Sequence, residues 1–159
     1  MAHDRAGTGP WGWIKAVGSA ERPLQRDWRD EDSHLLTSCW FSKHPRSLRA
    51  GDVLVYYAAR WGTFCALMEL ISDDVSDDGG AHPVDGQRWR WRMDVRPLVT
   101  LSLDDAPTLA QAGIDPLRVR RQSHIVLTSE EYETISGLIL ARASRSVQEP
   151  DSDAQPKAA

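Results

Sequence analysis

The chemistry-bearing residues in excess here are tryptophans. There are seven, Trp11, Trp13, Trp28, Trp40, Trp61, Trp89 and Trp91. A rigid indole packs well in a core, and it also stacks on a planar aromatic ligand. Such stacking contributes about 1–3 kcal/mol per base. Groups for bond-making chemistry are sparser. Ser123 and His124 are adjacent, but neighbouring side chains on a strand point to opposite faces and form no dyad. No GxSxG elbow occurs, and no Walker or GxGxxG loop. The five histidines show neither HxH nor HExxH spacing. Cys39 and Cys65 lie among apolar residues, outside any CxxC pair, and read as reduced core thiols. The expectation is a binding module without metal or cofactor, not an enzyme.

The elements that would position these groups are short strands. Trp11 to Val17 reads as a first strand ending at Gly18-Ser19. Ser33 could cap a short helix with Leu35, Leu36, Cys39 and Trp40 on its apolar face. Val53 to Ala58 is apolar on both faces, which predicts a central strand. Arg60 to Thr63 connects it to a strand over Phe64–Ile71. Next, Trp89, Trp91, Met93 and Val95 alternate with Arg88, Arg90, Arg92, Asp94 and Arg96. Period two predicts a half-buried strand, tryptophans inward and arginines outward, with an exit or bend at Pro97. Pro107 to Ala112 reads as a short helix closed by Gly113, with Asp104-Asp105 before it as caps. Ser123 to Leu127 is a last strand. Thr128-Ser129-Glu130-Glu131 fits a capping box for a helix that presents Tyr132, Ile135, Leu138 and Ile139. Trp11 and Trp28 are expected to be partly exposed. These strands do not alternate with long helices, so a strongly curved sheet or barrel is expected.

Length and charge bound the reading further. The chain of 159 residues fits one domain. Residues 1–10 and 146–159 lack apolar periodicity and read as disordered ends around a domain at 11–145. No membrane span or secretory leader is evident, which points to the cytoplasm. The net charge of -4 argues against nucleic acid. Five aspartates, however, fall within Ser72–Gln87 and further acids in the tail, leaving the rest mildly basic.

A pattern runs across residues 11–140. Trp13-Ile14-Lys15 resembles the first strand of EVE domains. Arg49-Ala50-Gly51-Asp52-Val53-Leu54-Val55-Tyr56-Tyr57 resembles their glycine–aspartate strand, and Phe64-Cys65-Ala66-Leu67-Met68-Glu69 the strand after it. Trp91-Arg92-Met93-Asp94-Val95-Arg96 is similar to a strand shared by EVE and YTH domains. Arg120-Arg121-Gln122-Ser123-His124-Ile125, followed by Thr128-Ser129-Glu130-Glu131-Tyr132, is similar to the closing segment. The resemblance implies an α+β fold, a PUA-like curved β-barrel of about five or six strands with peripheral short helices. It also implies a ligand pocket beside the first strand. Lys15, Ala16 and Val17 would form the pocket's backbone edge and Trp40 one cage wall, with Trp61 and Tyr57 as candidates for the others. Trp13 and Ser123 join them as ligand-binding residues. Ala16 stands where the family commonly has serine, and the aromatic–asparagine run after the first strand is not evident.

The reading is a module that binds a nucleobase, in particular a modified one, turned out of DNA or RNA. Arg118, Arg120 and Arg121 would touch phosphates, or else form a solvated loop. A small-metabolite or protein-interaction module on the same barrel is the alternative. A hydrolase with a scattered site comes third. Titratable groups converging in the pocket would favour the enzyme.

Overall fold

The computed structural model describes residues 11–82, 88–120 and 124–154. Among them run seven strands: β1 (Gly12–Val17), β2 (Ser38–Phe41), β3 (Val53–Ala58), β4 (Thr63–Leu70), β5 (Ser76–Asp77), β6 (Trp91–Thr100) and β7 (His124–Val126). Three short helices, α1 (Trp28–Glu31), α2 (Leu109–Ala112) and α3 (Pro116–Val119), precede the long α4 (Ser129–Ala154). The strands form one mixed sheet in the order β2-β6-β4-β3-β1-β7, with β5 also on β6. β1 and β3 are parallel and the other pairs antiparallel. The sheet curls into an open half-barrel, an α+β curved barrel as the sequence led one to expect.

β3 is central, as its two apolar faces require. Leu54, Val55 and Tyr56 are all fully buried between β1 and β4. Asp52 explains the Gly51-Asp52 signal. Its buried carboxylate accepts hydrogen bonds from Trp11 N at 2.9 Å, Trp13 Nε1 at 3.1 Å and Arg49 N at 3.1 Å. Gly51, at φ 91°, makes the turn that aims it. The start of β1 is thereby tied to the start of β3.

β6 departs from expectation at both ends. Met93 and Val95 are buried and Arg90 and Arg96 exposed, so the alternation holds there. Trp91 is only half-buried, against His44, and Trp89 lies before the strand begins. Neither is the core residue that its alternation suggested, because the sheet pairing that defines two faces starts at Trp91. Pro97 does not end the strand. Leu67 faces Val99 while Met68 faces Pro97, so Leu98 is the extra residue of a bulge beside a proline that cannot donate to the ladder, the bend that Pro97 suggested. The arginines face outward but are paired: Arg90 with Asp77, Arg92 with Asp78 and Asp94, Arg96 with Glu69.

Other local readings also change. The Ser33 helix is a 3-10 turn, Ser33–Leu36, preceded by Asp32. Cys39 and Trp40 belong to β2, because pairing with β6 takes over from helical periodicity there. Trp28 is fully buried, donating from Nε1 to Leu101 O at 2.8 Å. Thr108, not Asp104 or Asp105, caps α2, with Gln111 closing the box. Asp105 instead accepts from Ser102 Oγ.

The capping box of α4 forms as read: Thr128 Oγ1 accepts from Glu131 N, and Glu131 Oε1 accepts from Thr128 N. Ile135 and Ile139 are fully buried and Tyr132 partly so. The helical backbone continues to Ala154, and residues 155–159 lie outside the described residues. Residues 1–10 lie outside the described residues. Tyr132 packs flat on Gly12: a Cβ there would stand 2.8 Å from Tyr132 Cγ and nearer still to Cδ1. Gly12→Ala should therefore cost about 1–3 kcal/mol by overpacking. Urea denaturation checks this, and an unchanged midpoint would mean that α4 yields freely.

Candidate functional site

Gly18 begins the site. Its φ of 70° turns the chain back after β1, and a Cβ there would meet Leu24 N at 3.0 Å. Ser19 N donates to Arg22 O, and Ser19 Oγ accepts from Arg22 N. This turn returns Pro23 and Leu24 to the side of β1. Among the described residues β7 pairs with β1 from Trp13 to Lys15, and Ala16 and Val17 carry the strand on to the turn. A cleft of about 660 Å³ results, with Lys15, Ala16 and Val17 on one side and Trp40 and Trp89 among its walls. Its size suits a small-molecule ligand.

Lys15 lies at the inner wall and is 2% exposed. Its Nζ donates to Ala16 O at 2.5 Å, and stands 5.2 Å from the Phe41 ring centre and 4.9 Å from that of Trp89. Rings attract the cation, but do not neutralise it. The titratable groups that act on it supply no anion at neutral pH. Burial pushes the Cys39 thiol up to about 11. Burial, with the charges of Lys15 and Lys43, pushes His124 down to about 4. Burial, reinforced by Arg88, lowers Lys15 itself from the usual lysine value. Among the described residues no carboxylate pairs with it.

Trp40 is 6% exposed, and its buried Nε1–H has no hydrogen-bond partner among the described residues. The His82 ring lies edge-on to Trp40 at 5.0 Å and stacked against Trp89 at 6.3 Å. His34 faces His82 at 6.0 Å. Burial lowers the pKa of His34, against the pull of Asp32. Glu21 and Asp32 add acidic groups to the lining, Arg22 and Arg88 basic ones.

The expected site residues divide. Lys15, Ala16, Val17 and Trp40 come together. Trp13 does not reach the cleft, being buried on Asp52 and His124. Trp61 stands behind the wall, its Nε1 donating to Leu24 O at 2.9 Å. Tyr57 packs on Phe64, away from the lining. Arg118 is bound twice to Glu131 and also donates to Val126 O, so it ties β7 to α4 instead of awaiting a phosphate. Arg120 is exposed, and Arg121 and Ser123 lie outside the described residues.

Two solved structures resemble this one. The NMR structure of Rpa0253 from Rhodopseudomonas palustris matches with a TM-score of 0.53 and 16% identity, over 82% of this chain and 94% of that one. The crystal structure of Atu2648 from Agrobacterium tumefaciens matches with a TM-score of 0.54 and 14% identity, over 83% and 92%. The three proteins share a fold. No family model and no curated protein matches the chain.

Trp89, His34, His82 and Arg88 are lining residues that sequence reasoning did not place in the cleft. Trp89 carried a signal, an indole just before the strand, but its alternation suggested core. The histidines carried none, since they come together only through the turn at Ser33–Leu36 and the segment before β6. Among the described residues no three His, Cys, Asp or Glu side chains could hold a metal. No helix among them is long and apolar enough to cross a membrane.

Proposed function

We propose that the cleft binds a nucleobase, modified and turned out of DNA or RNA, and that the domain is a cytoplasmic reader of such bases without catalysis of its own. One observation carries this: the cleft joins the end of β1 to two indoles, and a heteroaromatic ring, that of His82, already packs against both. A flat base suits the same surroundings. The EVE-like sequence pattern supports the reading. Flipping a base costs a few kcal/mol, which stacking on Trp89 and contacts to the edge must exceed. Arg22, in the lining, takes the phosphate role that Arg118, held by Glu131, does not, beside the exposed Arg120.

A second reading has specific support. His34, His82, Asp32 and Glu21 are titratable groups in the cleft, as an enzyme would require. Ser19, the hydroxyl in the lining, accepts a hydrogen bond from Arg22 N within the turn. Binding therefore remains the preferred reading, with a small metabolite as the alternative ligand.

The test is titration of the protein with oligonucleotides that differ in one modified base. Trp89 is only partly buried, so Trp89→Ala should keep its melting temperature. It should lose about 5- to 150-fold in affinity, the equivalent of 1–3 kcal/mol of stacking. Recovery of the oligonucleotide unaltered would exclude the hydrolase. Absence of binding to every modified oligonucleotide, or full binding by Trp89→Ala, would sink the base-reader proposal.

A further inference from the structure

We propose that the ligand carries an anionic group on its ring, held at the inner wall of the cleft by the Lys15 ammonium and the Trp40 Nε1–H. The proposal rests on the nucleobase reading for the ring, and adds the charge.

Lys15 is nearly inaccessible, yet it reaches a cleft large enough for a ligand. Burying an ammonium is costly unless a partner of opposite charge is supplied. Ala16 O and two ring faces are what the described residues offer it. Its titratable neighbours are a protonated thiol, a neutral imidazole and an arginine. None of these is an anion at neutral pH.

Trp40 is an independent second observation. Its indole N–H is a donor only, is buried in the lining, and has no acceptor among the described residues. An unmade hydrogen bond at a buried donor is destabilising, and a ligand acceptor would relieve it. Both unmet groups are thus donors, and one is a cation. A methyl group, or a neutral amine edge, would leave both unmet. A carboxylate on the ring is the group that accepts from an ammonium and from an N–H alike, since it has two oxygens and about four acceptor sites. Glu21 and Asp32 also line the cleft, so the preference is for an anion at Lys15, not for a uniformly acidic ligand.

The experiment uses the full chain and two sets of probes. The first is a set of oligonucleotides identical except for one base: cytosine, 5-methylcytosine or 5-carboxycytosine. The second is a pair of free heterocycles, uracil and uracil-6-carboxylate. The carboxylated base should bind at least about tenfold more tightly than the methylated one. Lys15→Met removes the charge but keeps the length. It should reduce that ratio to within about threefold, whatever it does to the binding of 5-methylcytosine itself. Trp40→Phe keeps a ring and removes the N–H. It should lower the same ratio in part, and it serves as the test should Lys15→Met fail to melt cooperatively.

Equal binding of methylated and carboxylated oligonucleotides overturns the anion and leaves the base reader standing. A carboxylate preference that survives in a folded Lys15→Met variant, or that is undiminished in Trp40→Phe should Lys15→Met not fold, overturns it too. Lys15-dependent binding of uracil-6-carboxylate with no oligonucleotide binding sustains the anion. In that case the ligand is a free acid and the polynucleotide reading fails.

Discussion

Replacing Asp52 with alanine should cost about 3 kcal/mol or more of folding stability, the largest effect expected of any substitution here. The carboxylate accepts from three donors on two segments, Trp11 N, Trp13 Nε1 and Arg49 N. Asp52 itself is fully buried. Water cannot readily replace it, and each orphaned donor costs about 1–3 kcal/mol. Asp52→Asn keeps one carbonyl acceptor and should cost roughly half as much. The loss should also reach the cleft. Asp52 fixes the start of β1 beside β3, and Lys15 to Val17 are the far end of that strand. Guanidinium denaturation of both variants measures this. A loss under about 1 kcal/mol for Asp52→Ala would mean that the three donors find other partners, and that the carboxylate is not what anchors β1.

Acid should destabilise the protein through His124. An unfolded histidine titrates near 6.5, whereas burial and the charges of Lys15 and Lys43 hold this one neutral down to about 4. Between those values the unfolded chain binds the proton that the folded protein refuses. Stability contributed by the neutral ring is therefore complete above pH 6.5 and is lost as the pH falls towards 4. The loss attributable to this residue is on the order of 3 kcal/mol. His124→Gln cannot titrate, so denaturation at pH 7 and pH 4 should show a smaller decline for the variant by about that amount. His34 is also lowered by burial, but it is present in both proteins and cancels. Parallel declines in the two proteins would refute the assignment to His124. Binding of an anion at Lys15 would add to the acid sensitivity of the complex only if the ligand itself lost its charge.

The sequence alone determined what depends on neighbours in the chain. β3 was legible because two apolar faces leave a strand no position but the centre of a sheet, and Leu54, Val55 and Tyr56 occupy that centre. The α4 cap was legible because Thr128 and Glu131 are spaced to satisfy each other. Met93 and Val95 followed from period two within a paired strand. The curved α+β barrel followed from many short strands and few helices.

Tertiary structure alone decided which tryptophan does what. Trp13, Trp28, Trp40, Trp61 and Trp89 are the same side chain, and their roles depend on what lies across the fold. Asp52 takes the first, Leu101 O the second and Leu24 O the fourth, while Trp40 finds no acceptor among the described residues. Trp40 changed element as well, because pairing with β6 outweighs a local helical pattern. The burial of Lys15 was equally hidden. Alternation places a lysine on the Trp13 and Val17 face of β1, but whether that face meets water, a carboxylate or a cleft depends on β2, β7 and the turn at Gly18. Local hydrogen bonds and periodicity act over a few residues and can be read along the chain. Burial and unmet polarity arise between segments far apart in sequence, and only their packing settles them.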